Sequence, residues 1–333
     1  SVTGVQTCAL PICLLKKSLL FLGVALISLN VDAQTVSDAG AMYNEGNGYY
    51  KEKDYADAII AYEEAMEIAN MVGGDADELK ERIQTNLLKA YYGNATAFYK
   101  KGKFDEAIAG YEKSYAYAEK VGDSKKMTSS KNNIAKVRTS KGTSYLKNNK
   151  ADDALAEFNM ALEIYPTYYK TYYGMMLAYK SKGDLTKMVA NADKVLEYGG
   201  NNPKAAKTVA KTKSTVSKSL VNAGAKEIQK ENATKAVDYI NASFTYASGS
   251  ANAYYYLTLA YSIENNWNKA ISSAEKAINI DPTKDKSDVY FALGQAYEGN
   301  GDSSNACSAY KSVTNGPNVD AAKYQIAQVL KCG

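Results

Sequence analysis

Histidine is absent from all 333 residues, which removes the commonest general base near neutral pH and the commonest zinc ligand together. Adjacent carboxylates such as Glu63-Glu64 and Asp152-Asp153 are of the right type for glycoside hydrolysis. Neighbours on a helix point to different faces, however, so these pairs read as solvated surface. Cys307 and Cys332 supply two thiols without the further ligands a metal site needs. No glycine-rich loop leads into a helix with a lysine in phosphate-cradling order. The sequence is therefore read as non-enzymatic, with no catalytic residue, metal site or cofactor. What remains is binding chemistry, carried by 29 tyrosines and a surplus of ammonium groups. Aromatic faces flanked by lysines can hold an extended peptide, a carboxylate or a sugar ring.

Such groups need a scaffold, and the composition points to helices: five prolines in the whole chain, with many Ala, Lys, Glu and Asn. The stretch Gly142 to Pro166, GTSYLKNNKADDALAEFNMALEIYP, shows the unit. Tyr145 follows Gly142 by three, and Ala154, Phe158 and Ala161 fall at i, i+4 and i+7, each set on one helical face. Asn148, Asn149 and Lys150 break the chain between the two sets, and Pro166 ends the second. This predicts two helices joined by a tight turn, with small residues where they approach and aromatics beside them. The spacing returns at Gly46, Tyr49, Ala58, Tyr62 and Ala65, at Phe98, Gly102, Phe104, Ala107 and Tyr111, and at Leu293, Gly294, Tyr297, Gly301, Ala306 and Tyr310. Later copies place Tyr179 and Gly183 before Leu185, Gly224 before Ala236, and Tyr261, Trp267, Ala270, Ala277 and Pro282 in order; the pattern is weakest at Val189 to Ser219.

This pattern resembles the tetratricopeptide repeat (TPR) family, whose unit is a pair of antiparallel helices. The resemblance implies an all-α fold, a TPR-type α-solenoid of about seven helix-turn-helix repeats with a C-terminal capping helix. Intervals between the equivalent positions Ala58, Ala107, Ala154, Met188, Ala236, Ala270 and Ala306 are 49, 47, 34, 48, 34 and 36 residues. Three fit the family's period, and three are longer by about four helical turns. The extra residues keep a helical composition, so lengthened or additional helices are expected there. For the cap, Ala322, Ile326, Val329 and Leu330 form one apolar stripe, needed because the last unit of a stacked array has no neighbour.

In this family the first helix of each pair lines the concave wall. Aligning first helices places Tyr43, Tyr92, Tyr173 and Tyr255 in one row, Lys89, Lys136, Lys170 and Lys218 in a second, and Lys51, Lys100 and Lys147 in a third. The partner-binding candidates are Tyr43, Asn47, Tyr92, Lys100, Lys136, Lys147, Lys170, Tyr173 and Tyr255. Packing in the core is the other reading of the tyrosine row, and solvation the other reading of the lysines. Family members that clamp a terminal carboxylate use a lysine and asparagine pair in one first helix; here Asn47 is present, but Tyr43 occupies its partner's place.

The ends carry different information. Residues 1–13 are set aside, because Val2 to Ile12 resemble the translation of a short-read sequencing adapter. Residues 14–33 read as a signal peptide: Lys16 and Lys17, an apolar run from Ser18 to Leu29, then Val31-Asp32-Ala33 before Gln34. The run is too short for a membrane span. The reading is export to the periplasm of a Gram-negative bacterium, or secretion. In an oxidising compartment Cys307 and Cys332 can pair, the chain end folding back to close the bond; two reduced thiols packed as small apolar groups are the alternative.

Charge is unevenly spread. Residues 34–123 hold 17 acidic and 10 basic side chains, a net of −7; residues 124–235 hold 9 and 21, a net of +12; residues 236–333 hold 9 and 7, a net of −2. A cationic middle steers anionic partners. The expected division is an N-terminal repeat block at 34–200, a lysine-rich helical connector at 201–220 that could act as a hinge, and a C-terminal block with its cap at 221–333. The expected role is a scaffold or adaptor in the cell envelope, binding a peptide or protein, acidic by charge, on the concave face. Capture of a glycan or cell-wall fragment by the tyrosines is the alternative. Nucleic acid is not expected as a partner.

Overall fold

A computed structural model describes residues 34–280 and 285–333. The adapter-like stretch, the signal peptide and Pro282 lie outside these residues. The described residues form helices and turns with no strand: fifteen α-helices, fourteen of them in seven consecutive pairs and the last a cap.

The first compact unit runs to Ala90. Its first helix, α1 (Val36–Glu52), starts at a reciprocal cap in which the Thr35 hydroxyl accepts from the Asp38 N–H and the Asp38 carboxylate accepts from the Thr35 N–H. Helix α2 (Tyr55–Val72) packs back on α1 and buries Ala58, Tyr62, Ala65 and Ala69. Gly46 is what lets them approach: a Cβ there would meet the Tyr62 ring at 2.6 Å. The unit closes with a short 3-10 turn and the first half of α3 (Asp77–Lys100).

The second unit begins at Tyr91, within α3. Its helices are α4 (Phe104–Lys120), α5 (Ser124–Lys147), α6 (Ala151–Ile164), α7 (Tyr169–Lys182), α8 (Leu185–Gly199), α9 (Ala206–Ile228), α10 (Ala233–Ser243), α11 (Ala251–Ile263), α12 (Trp267–Ile280), α13 (Ser287–Gly299), α14 (Ser303–Lys311) and α15 (Val319–Tyr324). From α4 onward each helix of a pair packs on its partner and on the helix that follows, so apolar faces are buried between neighbours and no single core forms. The long intervals have one cause. First helices α3, α5 and α9 have 24, 24 and 23 residues, against 14 in α7 and 13 in α11 and α13.

Every pair turns through one residue with left-handed backbone: Lys53, Gly102, Asn149, Gly183, Glu231, Asn265 and Gly301, with φ between 54° and 78°. Only glycine takes this conformation without steric cost. After the turn, Asp54, Asp184 and Asp302 cap the second helix by accepting a backbone N–H.

The lysine-rich stretch at 201–220 forms a 3-10 turn and the first part of α9. Its thin apolar content suffices because it lies at one spacing: Thr212, Val216 and Leu220 are buried, the latter two against Met176, Met188 and Ala192 of the preceding pair. Lys207, Lys211, Lys213 and Lys218 stay exposed.

The cap departs from expectation at one residue. Ala322 is buried, and Ile326 and Leu330 pack on Ala306, Tyr310 and Val313, but Val329 is 46% exposed. The helix widens into a π-turn at Gln325–Val329, which shifts the register by part of a turn and swings Val329 off the stripe. Beyond it Lys331 turns left-handed at φ 50° and Cys332 donates its N–H to the Ile326 carbonyl at 2.9 Å. That reversal brings Cys332 to Cys307, to which it is bonded with 5.8 Å between Cα atoms.

Candidate functional site

In the first unit, Tyr43 is buried, 7% exposed, with its ring 5.9 Å from that of Tyr62. Asn86 donates to the Tyr43 hydroxyl at 2.9 Å and to the Asn47 carbonyl oxygen at 3.0 Å. The Asn47 oxygen also accepts from Tyr62 at 2.8 Å. Tyr43 and Asn47 are thus brought together, with their polar atoms engaged inside the protein. The Arg82 guanidinium stands 5.2 Å from the Tyr43 ring centre.

The second unit repeats this arrangement one interval later. Asn133 donates to the Tyr92 hydroxyl at 2.6 Å, and Lys136 donates to the Asn133 side-chain oxygen at 3.2 Å. The Tyr92 ring meets Tyr111 edge to face at 5.3 Å, and the Lys126 ammonium lies 4.1 Å above it. Tyr173 is half-buried against the Met176, Met188 and Val216 cluster. Lys100, Lys147 and Lys170 are exposed. Asn86 and Asn133 escaped the sequence reading, although they sit 47 residues apart, the interval between Ala107 and Ala154. Asparagine at repeat spacing on a first helix was the available signal.

Tyr255 is placed differently. It lines a cavity of about 1220 Å³ walled by α9, the start of α11 and the start of α13, with the turn at Asn315 and Gly316 closing one side. Lys218, from the second row, lines the same cavity, as do Lys213, Tyr256, Lys286 and Asp288. The tyrosine rings stand 5.5 Å apart, tilted by 45°. Burial, then the Asp288 carboxylate and Tyr256, raise the Tyr255 phenol above its ordinary pKa, so it is a neutral donor at physiological pH.

The acids of the cavity are already occupied. Asp285 accepts from the Ser287 N–H at 2.9 Å and the Ser287 hydroxyl at 2.7 Å, and these bonds hold its carboxyl below the usual range. Asp288 accepts from Asn318 at 3.0 Å. The Ser287 oxygen in turn accepts the N–H groups of Thr314 and Asn315 at 3.3 and 3.1 Å, which fixes the closing turn. Lysines form the other half. Lys213 and Lys218 are exposed on α9; Lys286 is only 9% exposed. None of the three forms an ion pair with another described residue. Among the described residues, no group of three or more potential metal ligands occurs, and no helix is long and apolar enough to cross a membrane.

Three family profiles described as tetratricopeptide repeat match the chain, at residues 39–70, 92–169 and 287–315. No curated protein matches it. Among solved structures, MamA from Desulfovibrio magneticus RS-1 is 22% identical, covering 54% of this chain and 92% of its own, with a TM-score of 0.33. The TPR2AB domain of yeast Sti1, solved in complex with pHSP90, is 18% identical over 89% of this chain and 97% of its own, with a TM-score of 0.35. A tetratricopeptide repeat protein from Parabacteroides merdae is 16% identical over 89% and 99%, with a TM-score of 0.30.

Proposed function

We infer the function of this chain from its membership in the tetratricopeptide repeat family: it is a scaffold or adaptor that binds another protein or a peptide. The reading is a non-enzymatic one. The observation that carries it is the cavity at Tyr255, where first helices of three successive pairs contribute side chains to one concave site of ligand-binding size. Tyr43 and Tyr92 serve the scaffold in this reading, since Asn86 and Asn133 hold their hydroxyls. Export to the cell envelope is part of the proposal, supported by the pattern from Lys16 to Gln34 and by a cystine of the kind that persists in oxidising compartments.

A photo-crosslinking residue in place of Tyr255 tests the reading in cells that make the full chain. A protein adduct at this position, absent when the residue replaces Lys113, exposed on the second helix α4, is the expected result. An adduct with cell-wall material and no protein favours glycan capture. No adduct at all rejects the cavity as a binding site.

A further inference from the structure

We propose that Asn315 is a site of spontaneous deamidation in the folded chain, converting to isoaspartate and aspartate and loosening the turn that closes the cavity at Tyr255. The step requires only water and is independent of what the chain binds.

The sequence contains three Asn-Gly pairs, Asn47-Gly48, Asn300-Gly301 and Asn315-Gly316. Glycine after asparagine leaves its backbone nitrogen open to the asparagine carboxamide, because no Cβ crowds the approach. In an unfolded chain the three pairs are chemically alike; the fold separates them. Asn47 and Gly48 lie inside α1, where helical hydrogen bonding claims the glycine N–H. The Asn47 carboxamide is fixed as well, its oxygen accepting from Tyr62 at 2.8 Å and from Asn86 at 3.0 Å. Asn300 ends α13 with helical backbone, φ −81° and ψ −1°, and the Gly301 N–H is turned to the Glu298 carbonyl at 3.0 Å.

Asn315 and Gly316 are held differently. Both are exposed in the turn between α14 and α15. The Gly316 N–H donates to the Asn315 side-chain oxygen at 2.8 Å, and among the described residues no backbone carbonyl accepts it. The Asn315 N–H is anchored on the Ser287 hydroxyl oxygen at 3.1 Å. Nucleophile and carboxamide are thus kept side by side, which removes most of the conformational search that precedes reaction. Rotation about the Asn315 Cβ–Cγ bond then presents Cγ to the nitrogen in place of Oδ1.

The Gly316 nitrogen gives up its proton and bonds to Cγ; the Cγ–Nδ2 bond breaks, and ammonia leaves with a proton. Water opens the resulting five-membered imide. Opening at Cγ yields aspartate, and opening at the main-chain carbonyl yields isoaspartate, whose main chain is longer by a methylene. Either product sets a new carboxylate near Asp285, whose own carboxyl is held below its usual range by the Ser287 N–H and hydroxyl and, after them, by the Asn315 side chain. Like charges then repel where a hydrogen bond stood. The lengthened chain of isoaspartate also draws the Thr314 and Asn315 N–H groups off the Ser287 oxygen.

The test ages the full chain, cystine intact, in warm and mildly alkaline buffer. Acid-stage digestion and mass spectrometry follow each Asn-Gly peptide, with electron-transfer fragmentation to tell isoaspartate from aspartate. Asn315 is expected to convert at least about tenfold faster than Asn47 or Asn300, and faster still as pH rises, since the attacking nitrogen must lose its proton. In guanidinium chloride the three rates should agree within a few-fold. Hydrogen exchange in the closing turn should be faster in aged than in fresh protein. Conversion of Asn315 as slow as that of Asn47, or of Asn300 as fast as Asn315, overturns the proposal. So does a gap in denaturant as wide as that in the folded chain, because sequence alone would then make the selection. Unchanged exchange in converted protein overturns the loosening of the turn.

Discussion

Gly142 on α5 lies so close to Phe158 on α6 that a Cβ at Gly142 would come within 2.6 Å of the ring. The same relationship, sixteen residues apart, joins Gly46 to Tyr62, Gly224 to Ile240 and Gly294 to Tyr310. One missing side chain therefore sets the distance between the helices of four pairs. Phe158 is fully buried, and its burial contributes roughly 2–3 kcal/mol. Gly142→Ala is expected to destabilise by about 1–3 kcal/mol, because overpacking outweighs the gain in helix propensity. Gly48→Ala, where a Cβ meets nothing within 4 Å, should stabilise by about 0.5–1 kcal/mol. Urea unfolding followed by circular dichroism measures both; equal signs for the two variants would contradict the account.

That glycine register was legible in the sequence, since Gly46, Tyr62, Gly142, Phe158, Gly294 and Tyr310 were the residues that defined the unit. The lengthened first helices were legible too, as surplus residues of helical composition. The cavity was not. Lys218 and Tyr255 appeared in different rows, and their meeting depends on Lys286 and Asn315, which belong to a helix start and a turn without periodicity of their own. The exposure of Val329 escaped for a related reason: a helical wheel assumes 3.6 residues per turn, and a π-turn breaks that assumption locally. Burial of the Tyr43 hydroxyl was hidden because it depends on Asn86, 43 residues away.

The turn residues give a second test. Lys53 and Glu231 hold left-handed backbone at φ 66° and 60° at positions where Gly102, Gly183 and Gly301 stand in other pairs. Both side chains are exposed. Lys53→Gly and Glu231→Gly should each stabilise by about 0.5–1 kcal/mol, the relief of strain exceeding the added freedom of the unfolded chain. A lower urea midpoint in either variant would contradict the strain argument.

Stability should be flat near neutral pH and fall in alkali. With no histidine, no side chain of ordinary pKa titrates between about pH 5.5 and 8. Burial, reinforced by neighbouring tyrosines, pushes the phenols of Tyr62 and Tyr168 up to about 12, and also raises Tyr111 and Tyr169. A folded pKa above the unfolded value of about 10 means that this stability is complete below pH 10 and is lost as pH rises towards 12. Lys141 adds to the effect. Burial alone lowers its pKa, but hydrogen bonds to Asp105 at 2.6 Å and Glu157 at 2.8 Å outweigh it and bring it to about 12, so its contribution also fades above about pH 10.5. Melting temperatures should agree from pH 6 to 8 and drop steeply above about pH 10. A transition near pH 6.5 would show that the tyrosines do not govern the profile.

The last prediction concerns the link between the cystine and the cavity wall. Cys307 and Cys332 are 25 residues apart in sequence, and closing a loop of that length stabilises by about 3 kcal/mol in the chain-entropy picture. In a stacked array that stabilisation stays local. It acts on the cap, where Ile326 and Leu330 cover Tyr310 and Val313, and through the cap on the turn at 314–318, whose N–H groups and Asn318 side chain bind Ser287 and Asp288. Cys332→Ser, or reduction by a dithiol, should therefore speed hydrogen exchange across residues 313–330 and, more weakly, at the start of α13. Exchange in α5 to α8 should stay unchanged, because no contact of the cap reaches them except through α9 to α14. Loss of protection spread evenly over the chain would mean that the bond supports global folding; unchanged exchange in the cap would mean that the apolar stripe holds it unaided.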